Sequence, residues 1–166
     1  MGIFVTGKVW KFGDNINTDY MAPSFSENDP WEVRKKHILH IHPVFAEQFK
    51  PGDVIVAGKN FGCGSSREEA PENLKRLGVG CVAAESFGRI FFRNCIGIAL
   101  PILVCKGVSE LFDEGDHLEM RFETSLVRNL TKGKEVTGQP LSSNLINIVK
   151  MGGILALLKS ESPAAH

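Results

Sequence analysis

The sequence has no excess of charge of either sign, because its 166 residues include 19 basic and 19 acidic side chains. A protein that binds nucleic acid or an anionic membrane mainly through charge carries a clear basic excess. The balance therefore argues against a nucleic-acid binder and against a protein held on a charged lipid surface.

Cysteine is scarce, and no two cysteines form a Cys-x-x-Cys pair: the four are Cys63, Cys81, Cys95 and Cys105. Iron–sulfur clusters and structural zinc ions are usually held by closely spaced cysteine sets. The sequence therefore predicts no metal site and no cofactor bound by this chain. Three of the cysteines lie in apolar segments, which favours buried, reduced thiols and a cytoplasmic location.

Long apolar runs are also absent. No stretch is long and apolar enough to span a bilayer, and residues 1–12 lack the apolar centre of a signal peptide. We therefore expect no membrane segment and no targeting segment. The length fits a single domain over residues 1–166, with a disordered tail after about residue 160.

The chain does contain a regular alternation of strand-like and helix-like segments. Three apolar strand-like runs, separated by two helix-like segments, occupy residues 54–57, 79–84 and 100–105. This order is typical of parallel β-α-β units. The fold class we expect is therefore α/β with a parallel core.

The regions on either side of this core have other patterns. An opening strand is predicted at 3–12, and helices are predicted at 30–40 and 43–49. Short alternating runs between residues 119 and 136 predict a β-meander. A C-terminal helix follows to residue 158, with Gly152 and Gly153 splitting it.

The most informative segment is residues 58–68, which reads GKNFGCGSSRE. It follows a strand and leads into a helix, so we expect Ser65, Ser66 and Arg67 at a helix start. A helix N-terminus offers unpaired N–H groups and partial positive charge. A guanidinium can bind a carboxylate through two parallel hydrogen bonds. The segment therefore predicts a carboxylate-binding site.

Other interpretations of this loop are weaker. A dinucleotide fingerprint needs a third glycine where Arg67 stands. A nucleophile elbow needs a glycine after the serine, and no triad is evident. A purely structural glycine turn, an autonomous hydrolase that uses Ser65, and an anion-binding module that regulates a partner remain as alternatives.

The motifs together resemble a known family. Residues 62–68 (GCGSSRE), residues 86–91 (SFGRIF), Asn94 and residues 17–19 (NTD) are similar to the swivel domain of the aconitase superfamily. The short chain looks like the small subunits of 3-isopropylmalate dehydratase and its relatives, over residues 3 to 158. The resemblance implies the swivelling β/β/α fold.

In that family, a large subunit carries a [4Fe–4S] cluster and the small subunit caps the cleft. Together they remove water from a 2-hydroxy di- or tricarboxylic acid and add it back at the neighbouring carbon. The resemblance implies a large-subunit partner, in a heterodimer or heterotetramer. It also implies that Ser65 is the base, that Asp19 belongs to the site, and that Ser66 and Arg67 bind a substrate carboxylate.

The chemistry of the residues agrees with these implied roles. A serine hydroxyl is a poor base in water, and an alkoxide needs N–H donors and a positive neighbour. The departing hydroxide needs a Lewis acid. Since this chain lacks the spacing of cluster ligands, that part of the chemistry is expected from the partner.

Substrate choice in this family depends on the loop after the Thr-Asp motif. Here residues 21–28 contain no Arg or Lys but do contain Glu27, which would repel a third carboxylate. We expect Ser24, Phe25 and Ser26 to bind the substrate, with an alkyl group packed against Phe25 and Met21 instead of a carboxylate. This favours the interconversion of 2- and 3-isopropylmalate in leucine biosynthesis, or a related 2,3-dimethylmalate activity, over a citrate or homoaconitate reaction.

Two further groups of side chains have open roles. His37, His40 and His42 could ligate a metal, but we expect them on a solvated surface. Arg89 and Arg93 lie four residues apart on one predicted helical face, where they would bind the partner or the substrate region, or pair with surface acids.

Overall fold

The computed structural model describes residues 2–162 of the chain. Its seven strands form one mixed sheet in the order β4-β3-β2-β1-β5-β6-β7. The strands are β1 (Phe4–Lys11), β2 (Val54–Ala57), β3 (Val82–Ala84), β4 (Ile102–Val104), β5 (His117–Arg121), β6 (Leu126–Asn129) and β7 (Lys134–Thr137). The α-helices are α1 (Trp31–Arg34), α2 (Phe45–Gln48), α3 (Glu69–Leu77), α4 (Arg89–Gly97), α5 (Val108–Leu111), α6 (Ser143–Lys150) and α7 (Ile154–Glu161).

Strand β1 joins the two halves of the sheet. Its last residues pair in parallel with β2, with Val9 opposite Val54, and its first residues pair antiparallel with β5, with Val5 opposite Met120. The parallel β2-β3-β4 core and the antiparallel β5-β6-β7 meander are both as predicted. Their junction through β1 was not predicted, because the pairing partner of a strand is a long-range property.

The parallel strands lie inside the molecule. All residues of β2 and β3 are buried, which is typical of parallel strands covered on both faces. Helix α3 lies over this core and buries Ala70 and Leu74, while its basic residues Lys75 and Arg76 remain exposed in the last turn. It ends at Gly78, as predicted. Truncating Leu74 to alanine would cost about 2–5 kcal/mol of stability.

The helix predicted at 30–40 is much shorter. Only Trp31–Arg34 is α-helical, and turns follow. Leu39 takes a left-handed backbone conformation, with φ at 54°, and its N–H donates to the Tyr20 carbonyl at 2.6 Å. Both Ile38 and Leu39 are fully buried. Burial of these side chains against the core therefore overrides the local helical preference.

At the C-terminus, the predicted interruption at Gly152 and Gly153 is confirmed, because they separate α6 from α7. The Ser142 side chain accepts from the Leu145 N–H and caps α6. Helix α7 continues to Glu161, one residue beyond the point where we expected the tail to begin. The rest of that tail, residues 163–166, lies outside the described residues. No helix between residues 2 and 162 is long and apolar enough to cross a membrane.

Candidate functional site

The motifs that the sequence singled out meet at one edge of the sheet. They follow β1, β2 and β3, which are adjacent and parallel. The carboxyl edge of parallel strands is where α/β proteins most often bind ligands. Two isolated bridges continue the pairing beyond the strands, Asn17 with Cys63 and Phe61 with Phe87. Segments far apart in sequence are therefore neighbours here.

Main-chain hydrogen bonds join these segments. Thr18 N donates to the Cys63 carbonyl at 2.9 Å, and Gly62 N donates to the Ile16 carbonyl at 2.8 Å. On the other side, Gly88 N donates to the Phe61 carbonyl at 3.0 Å. The glycine-rich loop is thus held between two neighbouring loops by backbone contacts, which do not depend on side-chain rotamers.

Asp19, Ser65 and Arg67 are brought together as expected from the motifs. Arg67 Nε lies 3.2 Å from Asp19 Oδ1 and 3.3 Å from Ser65 Oγ. Arg67 Nη1 donates to the Ala22 carbonyl at 3.2 Å. Arg67 Nη2 makes no hydrogen bond to any described residue. The guanidinium is therefore fixed at one side and has an N–H edge available for a ligand.

Thr18 has a role that the sequence did not reveal. Its side chain is buried, and its Oγ1 donates to the Ser65 carbonyl at 2.9 Å. Next to it, Asn17 Oδ1 accepts from Asp19 N at 2.9 Å. The only signal in the sequence was the adjacency of Thr18 to Asp19, which said nothing about a contact with a loop 47 residues away.

A glycine is required at position 64 because the loop lies directly against Asn17. Its φ is 97°, and a Cβ at this position would lie 2.5 Å from the Asn17 side-chain amide. An L-residue would therefore be strained and would also displace Asn17. The glycine allows the hydroxyl-bearing part of the loop to lie directly against the Asn-Thr-Asp motif.

Two helix starts lie close to Ser65. Ser65, Ser66 and Arg67 directly precede α3, as expected, because α3 begins at Glu69 after the N-cap Glu68, and its first turn carries acidic side chains. The loop and the first turn of α4 also enclose a cavity of about 360 Å³, lined by residues 62–67, residues 88–91, Thr18 and Asn94.

The start of α4 has the unpaired donors that the sequence analysis expected at the helix after the loop. Within residues 2–162, the main-chain N–H groups of Arg89, Ile90 and Phe91 have no hydrogen-bond acceptor. These are the unpaired donors of a helix N-terminus, where the helix dipole also places partial positive charge. An anion in this cavity would lie between them and Arg67.

The three loop residues predicted to contact substrate differ in exposure. Ser24 and Phe25 are exposed, and the Phe25 ring lies edge-on to His37 at 5.1 Å. Ser26 is only 1% exposed, and its hydroxyl donates to the Pro23 carbonyl at 3.2 Å. In this conformation neither Ser26 nor Met21, which is fully buried, can contact a ligand at the surface, so the expected alkyl contact with Met21 is not formed. Glu27 lines a second cavity, of about 310 Å³, together with Arg67.

Ser66 is exposed and lines the main cavity beside Ser65. Arg89 also lines this cavity, whereas Arg93 lines a neighbouring groove. In the described part of the chain neither arginine forms an ion pair. The alternative in which they pair with surface acids is therefore not realised.

The expectation of a solvated surface is wrong for His42. Its side chain is 13% exposed, its Nε2 lies 2.5 Å from a Glu114 carboxylate oxygen, and its ring packs against Trp10. His40 remains exposed. Among residues 2–162, no three His, Cys, Asp or Glu side chains are grouped closely enough to hold a metal ion.

The cysteine thiols do not form a cluster-binding set. All four are free, and three are buried separately: Cys81 just before β3, Cys95 in α4 and Cys105 just after β4. Burial raises the pKa of the Cys81 and Cys95 thiols well above the ordinary value, and burial together with the Glu85 charge raises the pKa of Cys105 to about 11. Metal ligation requires thiolates, so these residues do not fit an iron–sulfur cluster.

An apolar groove of about 650 Å³ lies beside the cavity that Ser65 lines. Helices α4, α6 and α7 form most of its walls, with Phe92, Ile96, Ile148 and Leu155 among the lining side chains. Leu155 is 71% exposed. Asn94 lines both the groove and the cavity, so the two are contiguous. Exposed apolar surfaces of this kind are characteristic of protein interfaces.

Comparisons with known proteins agree with this geometry. Residues 21–106 match the family model for the aconitase C-terminal domain. The isopropylmalate/citramalate isomerase small subunit of Methanocaldococcus jannaschii is 46% identical over 163 residues, 97% of each chain. The 3-isopropylmalate dehydratase small subunit of Aquifex aeolicus is 45% identical over 159 residues, 93% of this chain and 94% of that one.

The fold has a counterpart among solved structures. The crystal structure of 3-isopropylmalate dehydratase from Methanocaldococcus jannaschii superimposes with a TM-score of 0.86. The two chains are 34% identical, and the match covers 95% of this chain and 94% of the other.

Proposed function

This chain belongs to the aconitase C-terminal domain family, and we propose that it is the small subunit of a 3-isopropylmalate dehydratase. The reaction interconverts 2-isopropylmalate and 3-isopropylmalate by removing water and adding it back at the neighbouring carbon. The observation that carries the proposal is the convergence of Asp19, Ser65 and Arg67 at the edge of one cavity. As a hydro-lyase subunit, the chain is active only with its large subunit.

Ser65 is the proposed base. Its oxygen, as an alkoxide, takes the proton from the substrate carbon, the C–H electron pair forms the carbon–carbon double bond, and hydroxide leaves the neighbouring carbon. The reverse steps, with water added to the other carbon, give the isomer. Arg67 Nε at 3.3 Å supports the alkoxide electrostatically, and the unpaired N–H groups of α4 add donors on the facing side.

Arg67 and Ser66 are the proposed carboxylate ligands. Asp19 and the Ala22 carbonyl hold one side of the Arg67 guanidinium, which leaves Nη2 to bind a substrate oxygen. A charge-assisted hydrogen bond of this kind is short and strong. Asp19 therefore acts by fixing the orientation of Arg67 and by balancing its charge before substrate binds.

The rest of the chemistry requires a second chain. Departure of hydroxide needs a Lewis acid, and the buried, protonated thiols of this chain do not fit an iron–sulfur cluster. We place a [4Fe–4S] cluster on the large subunit, which would face the cavity. The free thiols are consistent with a reducing cytoplasm.

The apolar groove supports a protein partner at this position. Because the groove and the catalytic cavity share Asn94, a subunit that covers the cavity would also extend over Leu155 and its neighbours. We propose that the large subunit binds here, in a heterodimer or in a heterotetramer built from two such pairs.

The loop at residues 21–28 supports an alkyl-malate substrate. Phe25 is exposed and offers an apolar surface to an alkyl group, whereas Glu27 beside Arg67 disfavours a third carboxylate. We keep Ser24 and Phe25 as substrate contacts and omit the buried Ser26. A smaller alkyl-malate, such as 2,3-dimethylmalate, is the second candidate substrate, and homoaconitate is disfavoured.

The test is reconstitution with the cognate large subunit under anaerobic conditions. We expect no activity from the isolated chain and isomerase activity from the complex. Ser65→Ala should assemble normally and lose about 10³-fold or more in kcat, since it removes the base. The control Ser160→Ala, which changes an exposed serine on α7, should be fully active.

Two outcomes would replace the proposal. Hydrolytic activity of the isolated chain, lost in Ser65→Ala, would indicate an autonomous hydrolase. Full activity of the Ser65→Ala complex would reduce this chain to an anion-binding module.

A further inference from the structure

Asn73 on α3 is a buried polar residue that has no part in the reaction described so far. Its side chain is 5% exposed. Its Nδ2 donates to the Met21 carbonyl at 3.0 Å, and its Oδ1 accepts from Arg34 Nη2 at 3.3 Å. One amide therefore connects helix α3, helix α1 and the beginning of the 21–28 loop.

A second contact holds the next carbonyl of the same loop. Arg67 Nη1 donates to Ala22 at 3.2 Å, while Asn73 holds Met21. Arg67 and Asn73 are six residues apart on the segment that leads from the glycine-rich loop into α3. The loop is thus fixed at two consecutive carbonyls to the segment that carries Ser65.

The environment of Asn73 indicates why an amide stands there. The helix itself does not need it, because alanine and leucine form helices better than asparagine. A buried amide is costly unless its hydrogen bonds are made, and both functional ends of this side chain are bonded. The interactions that justify the residue are therefore those with the loop and with Arg34.

We propose that Asn73, supported by Arg34, is a positioning residue that sets the distance between the 21–28 loop and Ser65 and so determines which alkyl group the site accepts. The assignment of selectivity rests on the proposed function; the tether itself does not. Asn73 acts through the loop that carries Phe25 and does not touch the substrate.

The experiment compares Asn73→Ala with Asn129→Ala. Asn129 on β6 is equally buried, and its Nδ2 also donates to a main-chain carbonyl, that of Leu111 at 2.9 Å. Both variants lose a buried amide, but only one amide holds the loop. Arg34→Met, at a partly exposed position, is the second variant and removes the bond to Asn73 Oδ1 together with the 3.8 Å ion pair between Arg34 and Glu69.

Reconstituted complexes are assayed with 3-isopropylmalate and with 3-methylmalate. For Asn73→Ala we expect KM for 3-isopropylmalate to rise about tenfold, with kcat changed by less than about threefold. The preference for the larger alkyl group should fall accordingly. Arg34→Met should shift the preference in the same direction by a smaller factor. Asn129→Ala should lower thermal stability but leave the substrate preference unchanged.

Amide hydrogen exchange of the isolated chain provides a readout that does not need activity. Asn73→Ala should speed exchange in residues 21–28, whereas Asn129→Ala should not. The proposal is overturned if exchange in residues 21–28 is unchanged in Asn73→Ala. It is also overturned if the substrate preference changes equally in both asparagine variants. If the wild-type complex shows no isomerase activity, the proposed function fails. The exchange result still decides whether Asn73 holds the 21–28 loop in place. If Asn73→Ala does not fold, the two readouts of Arg34→Met decide it.

Discussion

The Oγ1 atom of Thr18 donates a hydrogen bond to the main-chain carbonyl of Ser65 at 2.9 Å, across 47 residues of sequence. The contact is formed by a side chain that is 2% exposed, so water cannot easily replace it. It fixes the backbone of Ser65 and leaves the serine hydroxyl free for chemistry. The position of the proposed base is therefore set by the loop that follows β1.

Thr18→Val removes this hydrogen bond while keeping the shape of the side chain. The Ser65 carbonyl would lose its donor, and we expect stability to fall by about 1–2 kcal/mol. The kcat of the reconstituted complex should fall about tenfold or more, because a small displacement of a base has a large effect on rate. Thr18→Ser, which retains the hydroxyl, should recover most of the rate. Equal kcat for the valine and serine variants would contradict this role.

Gly88 lies where the start of α4 packs against the glycine-rich loop. A Cβ at Gly88 would be 2.5 Å from the Gly62 carbonyl oxygen, a contact between two backbones that cannot be relieved by a rotamer change. Gly88→Ala should therefore displace α4, widen the cavity and lower both thermal stability and kcat.

Gly13→Ala is the matched control for Gly88→Ala, since nothing lies within 4 Å of its Cβ position. We expect it to be neutral or slightly stabilising. Similar losses in both variants would refute the steric explanation.

Leu155→Asp tests the groove as the binding surface of the large subunit. The side chain is 71% exposed, so the isolated chain should fold normally, with an unchanged circular dichroism spectrum and melting temperature. A charge at the centre of an apolar interface should weaken the complex by about 2 kcal/mol or more, which titration calorimetry would measure. The control is Leu130→Asp, at a 48% exposed leucine after β6. Equal affinity of the two variants would place the interface elsewhere.

Glu85 should make stability depend on acid pH. Its carboxylate accepts from the Gly107 and Ser109 N–H groups and from the Ser109 hydroxyl, at 2.7–3.1 Å. Burial by itself would raise the pKa of Glu85, but these hydrogen bonds lower the pKa by more than burial raises it. The pKa of Glu85 in the folded protein therefore lies below its ordinary value. Stability from this group is therefore complete above the unfolded-state pKa and is lost as pH falls through the lower folded-state pKa.

Glu85→Gln should accordingly lower the free energy of unfolding by about 1–2 kcal/mol at pH 7. The difference from wild type should begin to shrink as pH falls to the unfolded-state pKa of glutamate, about 4.3, and should continue to shrink through the lower folded-state pKa, where the carboxyl group of the folded protein becomes protonated. Urea unfolding of both proteins at several pH values measures it. A difference that stays constant throughout this acid range would show that the charge of Glu85 is not responsible.

Some predictions succeeded because they rest on local patterns. The parallel core was predicted from apolar runs bounded by turns, and the split of the C-terminal helix from two adjacent glycines. The helix after residue 30 was predicted too long, because the burial of Leu39 and its bond to Tyr20 are tertiary effects. Ser26 was expected at the surface, but a hydrogen bond to Pro23 turns it inward.

The sequence by itself determined the chemical groups of the site. The string at residues 62–68 supplies hydroxyls, a guanidinium and the glycines that a close backbone contact requires, and these properties are carried by residue type. Their spacing relative to the SFGRIF string was enough to indicate the family.

Only the tertiary structure decided what surrounds these groups. The parallel register of β1, β2 and β3 places Thr18 under Ser65 and turns the start of α4, rather than α3, toward the cavity. It also places Asn73 against Met21. These relationships depend on how distant segments pack against one another, and no local pattern of residues specifies that.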